Sequence, residues 1–155
     1  CLDPEGNPQG MTANSFTSVS LDPPLVLFCV DRDANIAPML TGAPCVGINI
    51  LPKGQEQLSN RFAFLNADGF EGVPWSAGET GAPILSGLLA SLECRQVEHW
   101  PAGDHFIVLG EVVSSQTSSG EPLLYFDSAY RSLSAPQPDQ AEVRSSALED
   151  GHISP

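Results

Sequence analysis

Residues 10–32, GMTANSFTSVSLDPPLVLFCVDR, carry the clearest structural pattern in the chain. Residues 11–21, MTANSFTSVSL, alternate loosely and are rich in Thr, Ser, Val and Phe, which is typical of a strand. This run stops at Asp22-Pro23-Pro24, because the two prolines lack the backbone N–H that a central strand needs. LVLFCV, residues 25–30, is continuously apolar and predicts a buried strand. The stretch therefore predicts two successive β-strands with a proline turn between them.

The segments on either side extend this pattern. Upstream, DPEGNPQG (3–10) has the composition of a turn, so we expect residues 1–2 to be the end of a truncated N-terminal strand, with a segment missing before Cys1. Downstream, IAPMLTG (36–42) predicts a short helix capped by Gly42. PCVGINIL (44–51) predicts a strand, and KGQEQLSNRFAFL (53–65) predicts a second helix with one apolar stripe.

The second half of the chain is mostly strand-like. Residues 66–87 are rich in glycine and predict a long excursion without regular structure. Three further strands are predicted in residues 84–100, 104–117 and 122–133, separated by turns that contain glycine. Residues 134–155 have few large aliphatic side chains, which indicates an acidic polar tail that is flexible or draped over a partner. The pattern as a whole is mostly β with two inserted helices.

The composition excludes several classes of partner. The chain has 155 residues, enough for one compact domain, and a formal net charge of −13. This charge repels nucleic-acid phosphates and anionic membrane surfaces, so neither is an expected partner. The four cysteines form no CxxC motif or Cys/His cluster, so we expect no metal site and reduced thiols in a cytoplasmic protein.

Sequence motifs for hydrolysis and nucleotide cleavage are missing: the chain contains no GxSxG elbow, Walker lysine motif or HExxH helix. The chemistry can instead be carried by a cofactor, for which the protein supplies binding and orientation.

Residues 10–32 resemble the signature of the short-chain flavin reductases, the reductase components of two-component flavin-dependent monooxygenases. The resemblance continues, in the family's order, through QLSNRFA (57–63), FEGVPW (70–75), GAPILSGLLASLECR (81–95), GDHFIVLGEV (103–112) and GEPLLYFDSAYRSL (120–133). It covers roughly residues 9–133, and several ordered motifs are far more specific than one.

The resemblance implies the architecture and the activity. We expect residues 1–133 to form a six-stranded antiparallel Greek-key split β-barrel with two short inserted helices, in a homodimer. It further implies that FMN or FAD is reduced by NADH or NADPH and that the reduced flavin passes to a flavin-dependent oxygenase component.

The resemblance also implies roles for individual residues. Thr12, Ala13, Asn14 and Ser15 would line the isoalloxazine edge, and His105 would be the catalytic residue beside the nicotinamide. The remaining cofactor-binding positions carried over are Cys29, Val30, Asp31, Arg32, Asn35, Arg61, Phe62 and Tyr130.

Residues 33–36 depart from the family pattern. Asp33, Ala34, Asn35 and Ile36 stand where relatives usually supply hydroxyl and basic groups to the flavin phosphate, so weak phosphate binding or capture by Arg61 is expected. This departure keeps open a non-catalytic flavin- or haem-binding split-barrel protein, and the fold equally permits a flavin-dependent ferric reductase. Some of these site residues also have a purely structural alternative: a surface strand for 12–15, a strand histidine for His105 and a barrel aromatic for Tyr130.

Overall fold

The computed structural model describes residues 1–64 and 69–134, which form a mostly β structure with two short helices. The order is β1 (Thr17–Leu21), β2 (Pro24–Asp31), α1 (Ala37–Gly42), β3 (Cys45–Ile50), α2 (Glu56–Phe64), β4 (Trp75–Ala77), β5 (Pro83–Leu85), β6 (Ala90–Ala102), β7 (His105–Thr117), β8 (Leu124–Phe126) and β9 (Ala129–Arg131). This composition confirms the predicted class. The predicted tail lies outside the described residues from position 135 onward.

The main sheet has five strands in the order β1-β2-β7-β6-β3, and every neighbouring pair is antiparallel. β4 with β5 and β8 with β9 form two separate two-stranded sheets. Strands β1 and β3 are the edges of the main sheet, so the closed six-stranded barrel stays a prediction. β6 and β7 are each 13 residues long and form the longest pairing of the sheet.

The first predicted strand is shorter than its sequence pattern indicates. Residues 11–16 leave the sheet, and β1 begins only at Thr17. The reason is a long-range attachment: the Thr12 N–H donates to the Phe62 carbonyl at 3.2 Å, and the Thr12 hydroxyl donates to the Ser59 carbonyl at 2.6 Å. The segment before β1 is therefore held by α2.

Helix α1 covers one face of the main sheet. Its buried residues Ala37 and Leu40 belong to one core cluster with the inward side chains of β2, β3, β6 and β7, among which Val30 and Val108 are fully buried. Burial of each such aliphatic side chain contributes about 1.5–3 kcal/mol. Gly42 is the last helical residue and Ala43, with extended backbone, is the C-cap, so the predicted glycine cap is wrong.

The predicted irregular excursion over 66–87 contains the β4–β5 hairpin, so this prediction is partly wrong. A buried carboxylate organises its turn: Glu93 of β6 accepts hydrogen bonds from the Glu79 N–H (2.9 Å), the Thr80 N–H (2.7 Å) and the Thr80 hydroxyl (2.7 Å). A Cβ at Gly78 would lie 2.3 Å from this carboxylate, so a larger residue there would have to displace the Glu93 side chain. The turn is thus fixed by a residue from a distant strand.

Residues 122–133 form a hairpin rather than the single predicted strand. Asp127 and Ser128, the two central residues, have φ values of 52° and 55°, as type I′ hairpin turns require. In the described residues all four cysteines are free, and no three His, Cys, Asp or Glu side chains cluster closely enough to hold a metal ion. Neither described helix has the length and apolar character needed to span a membrane.

Candidate functional site

A cavity of about 710 Å³ lies between the segment before β1, helix α2, strand β3 and the β8–β9 hairpin. Each of these elements contributes residues to the wall. They are Gly10 to Asn14 from the segment before β1, Asn60 and Phe62 from α2, Asn49 from β3, and Tyr125 and Tyr130 from the hairpin. The departure of residues 11–16 from the sheet therefore creates one side of this cavity.

The lining of the cavity has a distinct chemical character. Among the described residues that form it there is no Asp, Glu, Lys, Arg or His side chain. Its polar groups are amides and hydroxyls, and they come from Gln9, Thr12, Asn14, Asn49, Ser59, Asn60, Tyr125 and Tyr130. The remaining wall is largely aliphatic and aromatic. Such a wall suits an uncharged, partly apolar ligand whose edges carry hydrogen-bonding groups.

Five of the predicted flavin-binding residues lie together in this wall: Thr12, Ala13, Asn14, Phe62 and Tyr130. The Tyr130 hydroxyl donates to Asn60 Oδ1 at 2.8 Å, and its ring packs edge-on against Tyr125 with centroids 5.2 Å apart. Phe62 packs edge-on against Phe70 at 4.8 Å. The structure thus gathers residues that are separated by more than a hundred positions in the chain.

Ser15, Cys29 and Val30 lie beside this group but do not line the cavity. The Ser15 hydroxyl accepts from the Cys29 N–H at 2.9 Å and donates to the Cys29 carbonyl at 3.2 Å. Val30 is fully buried in the core. The Ser15 side chain is therefore hydrogen-bonded to the backbone of β2, and Val30 could contact a ligand only through its backbone.

Asp31, Arg32 and His105 form a second group, where β2 ends beside the β6–β7 turn. Asp31 pairs with His105 in the sheet, and the Arg32 N–H donates to the Asp104 carbonyl at 2.9 Å. The Arg32 guanidinium lies 5.5 Å from the centroid of the Phe106 ring and donates to the Gly103 carbonyl at 3.3 Å. These residues, with the exposed Asn35, are outside the cavity wall.

His105 is paired with its neighbour in the chain. Its Nδ1 lies 2.8 Å from Asp104 Oδ1. This hydrogen bond raises the pKa of His105, an effect opposed by partial desolvation and supported by the negative charges of Asp104 and Asp31. The same hydrogen bond lowers the pKa of Asp104. Asp104 therefore favours the imidazolium form and leaves Nε2 as the nitrogen for other partners.

We expect Asp104→Asn to lower the pKa of His105 toward its ordinary value of 6.5, because the carboxylate is its main stabilising partner. NMR titration of the imidazole protons measures this, with Asp22→Asn as a control that leaves the titration unchanged. Because the His105 pKa is raised on folding, its stabilising effect is complete below pH 6.5 and is lost as the pH rises through the raised value. An unshifted titration in Asp104→Asn contradicts the pairing.

Arg61, the alternative candidate for phosphate capture, is engaged with backbone groups. Its Nε donates to the Gly69 carbonyl at 2.7 Å, and its Nη2 donates to the Glu71 carbonyl. These bonds tie α2 to the chain that follows it. Use of Arg61 for a phosphate would compete with them.

The sequence patterns missed Asn49 and Tyr125 of the cavity wall. Asn49 donates to the Pro83 carbonyl at 3.3 Å and accepts from the Leu85 N–H at 2.9 Å, so it joins β3 to β5. An asparagine inside the otherwise apolar GINIL run was the available signal, because a buried amide needs partners. Tyr125 had no comparable local signal.

Comparison with known proteins extends these observations. A family model described as "Flavin reductase like domain" matches residues 1–134. An NADH-dependent FAD reductase of Streptomyces globisporus is 42% identical over 142 residues, which cover 88% of this chain and 78% of the relative. The solved structure of an NADH:FAD oxidoreductase from Streptomyces globisporus C-1027, in complex with NAD and FAD fragments, has a TM-score of 0.79 at 44% identity, covering 86% of this chain and 81% of that one.

A second solved structure matches the fold over more of the chain. It is a nitrilotriacetate monooxygenase component B homologue from Mycobacterium thermoresistibile, with a TM-score of 0.83 at 33% identity, covering 90% of this chain and 80% of that one. The family match, the level of identity and the shared fold agree with the motifs found in the sequence. This chain belongs to the flavin reductase like domain family.

Proposed function

We propose that this chain is an NAD(P)H-dependent flavin reductase that supplies reduced FMN or FAD to a flavin-dependent oxygenase component. The observation that carries the proposal is the uncharged cavity bordered by Thr12, Ala13 and Asn14, in a chain 42% identical to an NADH-dependent FAD reductase. The oxygenase partner is supported by the likeness to a monooxygenase component B. A cytoplasmic location completes the proposal, supported by the four free cysteines.

The residues of the cavity fit the ring system of a flavin. Phe62 and Tyr130 offer aromatic surface, and Asn14 and Asn49 offer amides to the ring edge. Among the hydrogen bonds within residues 1–64 and 69–134, none uses the N–H of Ala13 or Asn14. These N–H groups would donate to the carbonyl and nitrogen acceptors of the isoalloxazine.

The flavin, when bound, supplies the hydride-accepting chemistry, and the protein supplies binding and orientation. The cavity wall would exclude water from one side of the ring and limit its orientations. His105 would contribute from the β6–β7 turn, where the hydrogen bond with Asp104 raises its pKa and leaves Nε2 for other partners. No side chain needs to act as a nucleophile, because holding two rings in register provides most of the acceleration.

Anaerobic mixing of the full chain with NADH and excess FMN or FAD tests the activity. We expect flavin absorbance to bleach at a rate that saturates in both reactants. A protein that binds flavin but never accelerates its reduction by NADH or NADPH would instead be a non-catalytic flavin-binding protein.

We expect His105→Ala to slow flavin reduction by about 10- to 100-fold, as a group that positions or stabilises the reacting rings would require. Stopped-flow reduction at several NADH concentrations measures the effect. His99→Ala is the matched control, because His99 is an exposed histidine of the adjacent strand β6 and packs edge-on against Phe106. Equal rates in wild type and His105→Ala, with an intact fold, reject the role of His105.

The proposal includes a homodimer in which each subunit forms a six-stranded split barrel. Edge strand β1 supports it: Val19 and Leu21 are exposed there, and open strand edges are normally covered or paired. Because each chain carries a formal charge of −13, added salt should strengthen association. Light scattering is expected to give a dimer mass at high salt, and a monomer mass at high salt and high protein concentration would contradict the proposal.

A further inference from the structure

All lysine and arginine side chains within residues 1–64 and 69–134 have a partner in the same chain. Lys53 pairs with Glu121 at 2.5 Å, Arg95 with Glu111 at 3.5 Å, and Arg131 with Asp127 at 3.9 Å. The other two are Arg61, which donates to the carbonyls of Gly69 and Glu71, and Arg32, which contacts the Phe106 ring and the Gly103 carbonyl.

Within residues 1–64 and 69–134, the cavity wall contains no lysine or arginine side chain. None of these five cations is among the residues that line it. Arg32 is flanked by Asp31 and Asp33, and the Asp31 carboxylate accepts the Asp33 N–H at 2.8 Å. The turn that carries Arg32 therefore has two carboxylates beside its one cation, in a chain whose formal charge is −13.

We infer that, if the chain is the flavin reductase proposed above, it recognises flavin through the uncharged ring and ribityl chain and gains no affinity from the phosphate. Riboflavin is then as good a ligand and substrate as FMN. The two phosphates of FAD would also lie outside the uncharged cavity, so FAD binds no more tightly than FMN.

A bound phosphate would compete with the present partners of the basic side chains. A protein that binds a phosphate tightly offers it charge-assisted hydrogen bonds from Arg or Lys, or several aligned backbone N–H groups. Here none of the described cations lines the cavity, and each already contacts a carboxylate, a carbonyl or a ring in the chain, so a phosphate would share it with that partner. The net negative charge of the chain would oppose the phosphate dianion as well. Apolar contacts and amide hydrogen bonds in the cavity are the same for riboflavin, FMN and FAD.

Fluorescence titration of the full chain with riboflavin, FMN and FAD is the direct test, and it does not depend on turnover. We expect the three dissociation constants to agree within about threefold, as should kcat/KM with NADH as the reductant. Raising the salt concentration from low to moderate should strengthen FMN binding by screening repulsion and leave riboflavin binding unchanged. FMN binding more than tenfold tighter than riboflavin, or weakened by salt, would overturn the inference.

Arg144 is the one lysine or arginine outside the described part of the chain. Arg144→Gln is therefore expected to leave the ratio of FMN to riboflavin affinity unchanged, and a selective loss of FMN binding would show that Arg144 holds the phosphate. The outcomes separate the two proposals. If none of the three flavins binds or is reduced, the reductase function itself is wrong; if all bind but FMN is strongly preferred, only the present inference is wrong.

Discussion

Phe62→Ala is expected to lower the free energy of unfolding by about 4 kcal/mol, within the range for truncating a buried phenylalanine. Only 8% of Phe62 is exposed, and its ring packs edge-on against Phe70. A Cβ at Gly69 would lie 2.7 Å from this ring, which shows how closely the neighbouring backbone approaches it. Because the ring also lines the cavity, flavin affinity should fall as well.

Phe64→Ala is the matched control for stability, since Phe64 belongs to the same helix and also lines the cavity but is 77% exposed. It should change the free energy of unfolding by less than about 0.5 kcal/mol. Denaturant unfolding measures both variants, and riboflavin titration at low temperature measures the site in the folded fraction. Equal stability losses in the two variants would show that the Phe62 ring does not anchor this wall.

Glu93→Gln is expected to destabilise the protein by about 3 kcal/mol at pH 7, because hydrogen bonds to a charged acceptor contribute about 1.5–3 kcal/mol. The substitution preserves the shape of the side chain but replaces one acceptor oxygen with a donor. That donor would face the N–H groups of Glu79 and Thr80, which the carboxylate now satisfies. Glu79→Gln is the control, because the Glu79 side chain is exposed and only accepts from the Ser114 hydroxyl at 3.2 Å.

The effect of Glu93→Gln should depend on pH in a defined direction. Burial alone would raise the pKa of Glu93, but the hydrogen bonds from the Thr80 side chain, the Thr80 N–H and the Glu79 N–H lower it overall. A carboxylate with a lowered pKa contributes full stability above its ordinary value of 4.5, and loses it as the pH falls through the folded-state value. The difference between wild type and variant should therefore shrink below pH 4.5. A constant difference down to pH 3 would mean that charge is not involved.

Much of the fold could be predicted from the sequence, because apolar runs and turn residues act locally. LVLFCV became β2 with the alternating burial of a strand that has the core on one face, and both helices lie where the apolar spacing places them. The exceptions depend on distant partners. Residues 11–16 have strand-like composition, yet the hydrogen bond from Thr12 to Ser59 draws them out of the sheet. The glycine-rich segment forms a hairpin because Glu93 satisfies its turn.

The candidate site shows the same difference between local sequence patterns and contacts with distant residues. Thr12, Ala13 and Asn14 came from a motif that is continuous in sequence, and the structure places all three in the cavity wall. Asn49 and Tyr125 were missed because their positions depend on the contact between β3 and β5 and on a hairpin turn at Asp127 and Ser128. Single-sequence patterns carry little information about such pairings. The uncharged lining of the described wall became apparent only when residues from distant elements were assembled.

The pairing of β2 with β7 at the centre of the sheet also has a consequence during protein synthesis. Leu25 pairs with Glu111 and Asp31 with His105, so nearly the whole described chain must leave the ribosome before β2 can find its partner on that side. At about 5–20 residues per second, this delay is on the order of 4–15 s. Throughout it, the apolar LVLFCV segment has only β1 beside it, and exposed strand edges of this kind promote aggregation. We therefore expect shielding of this apolar segment, until the later strands emerge, to raise the yield of folded chain.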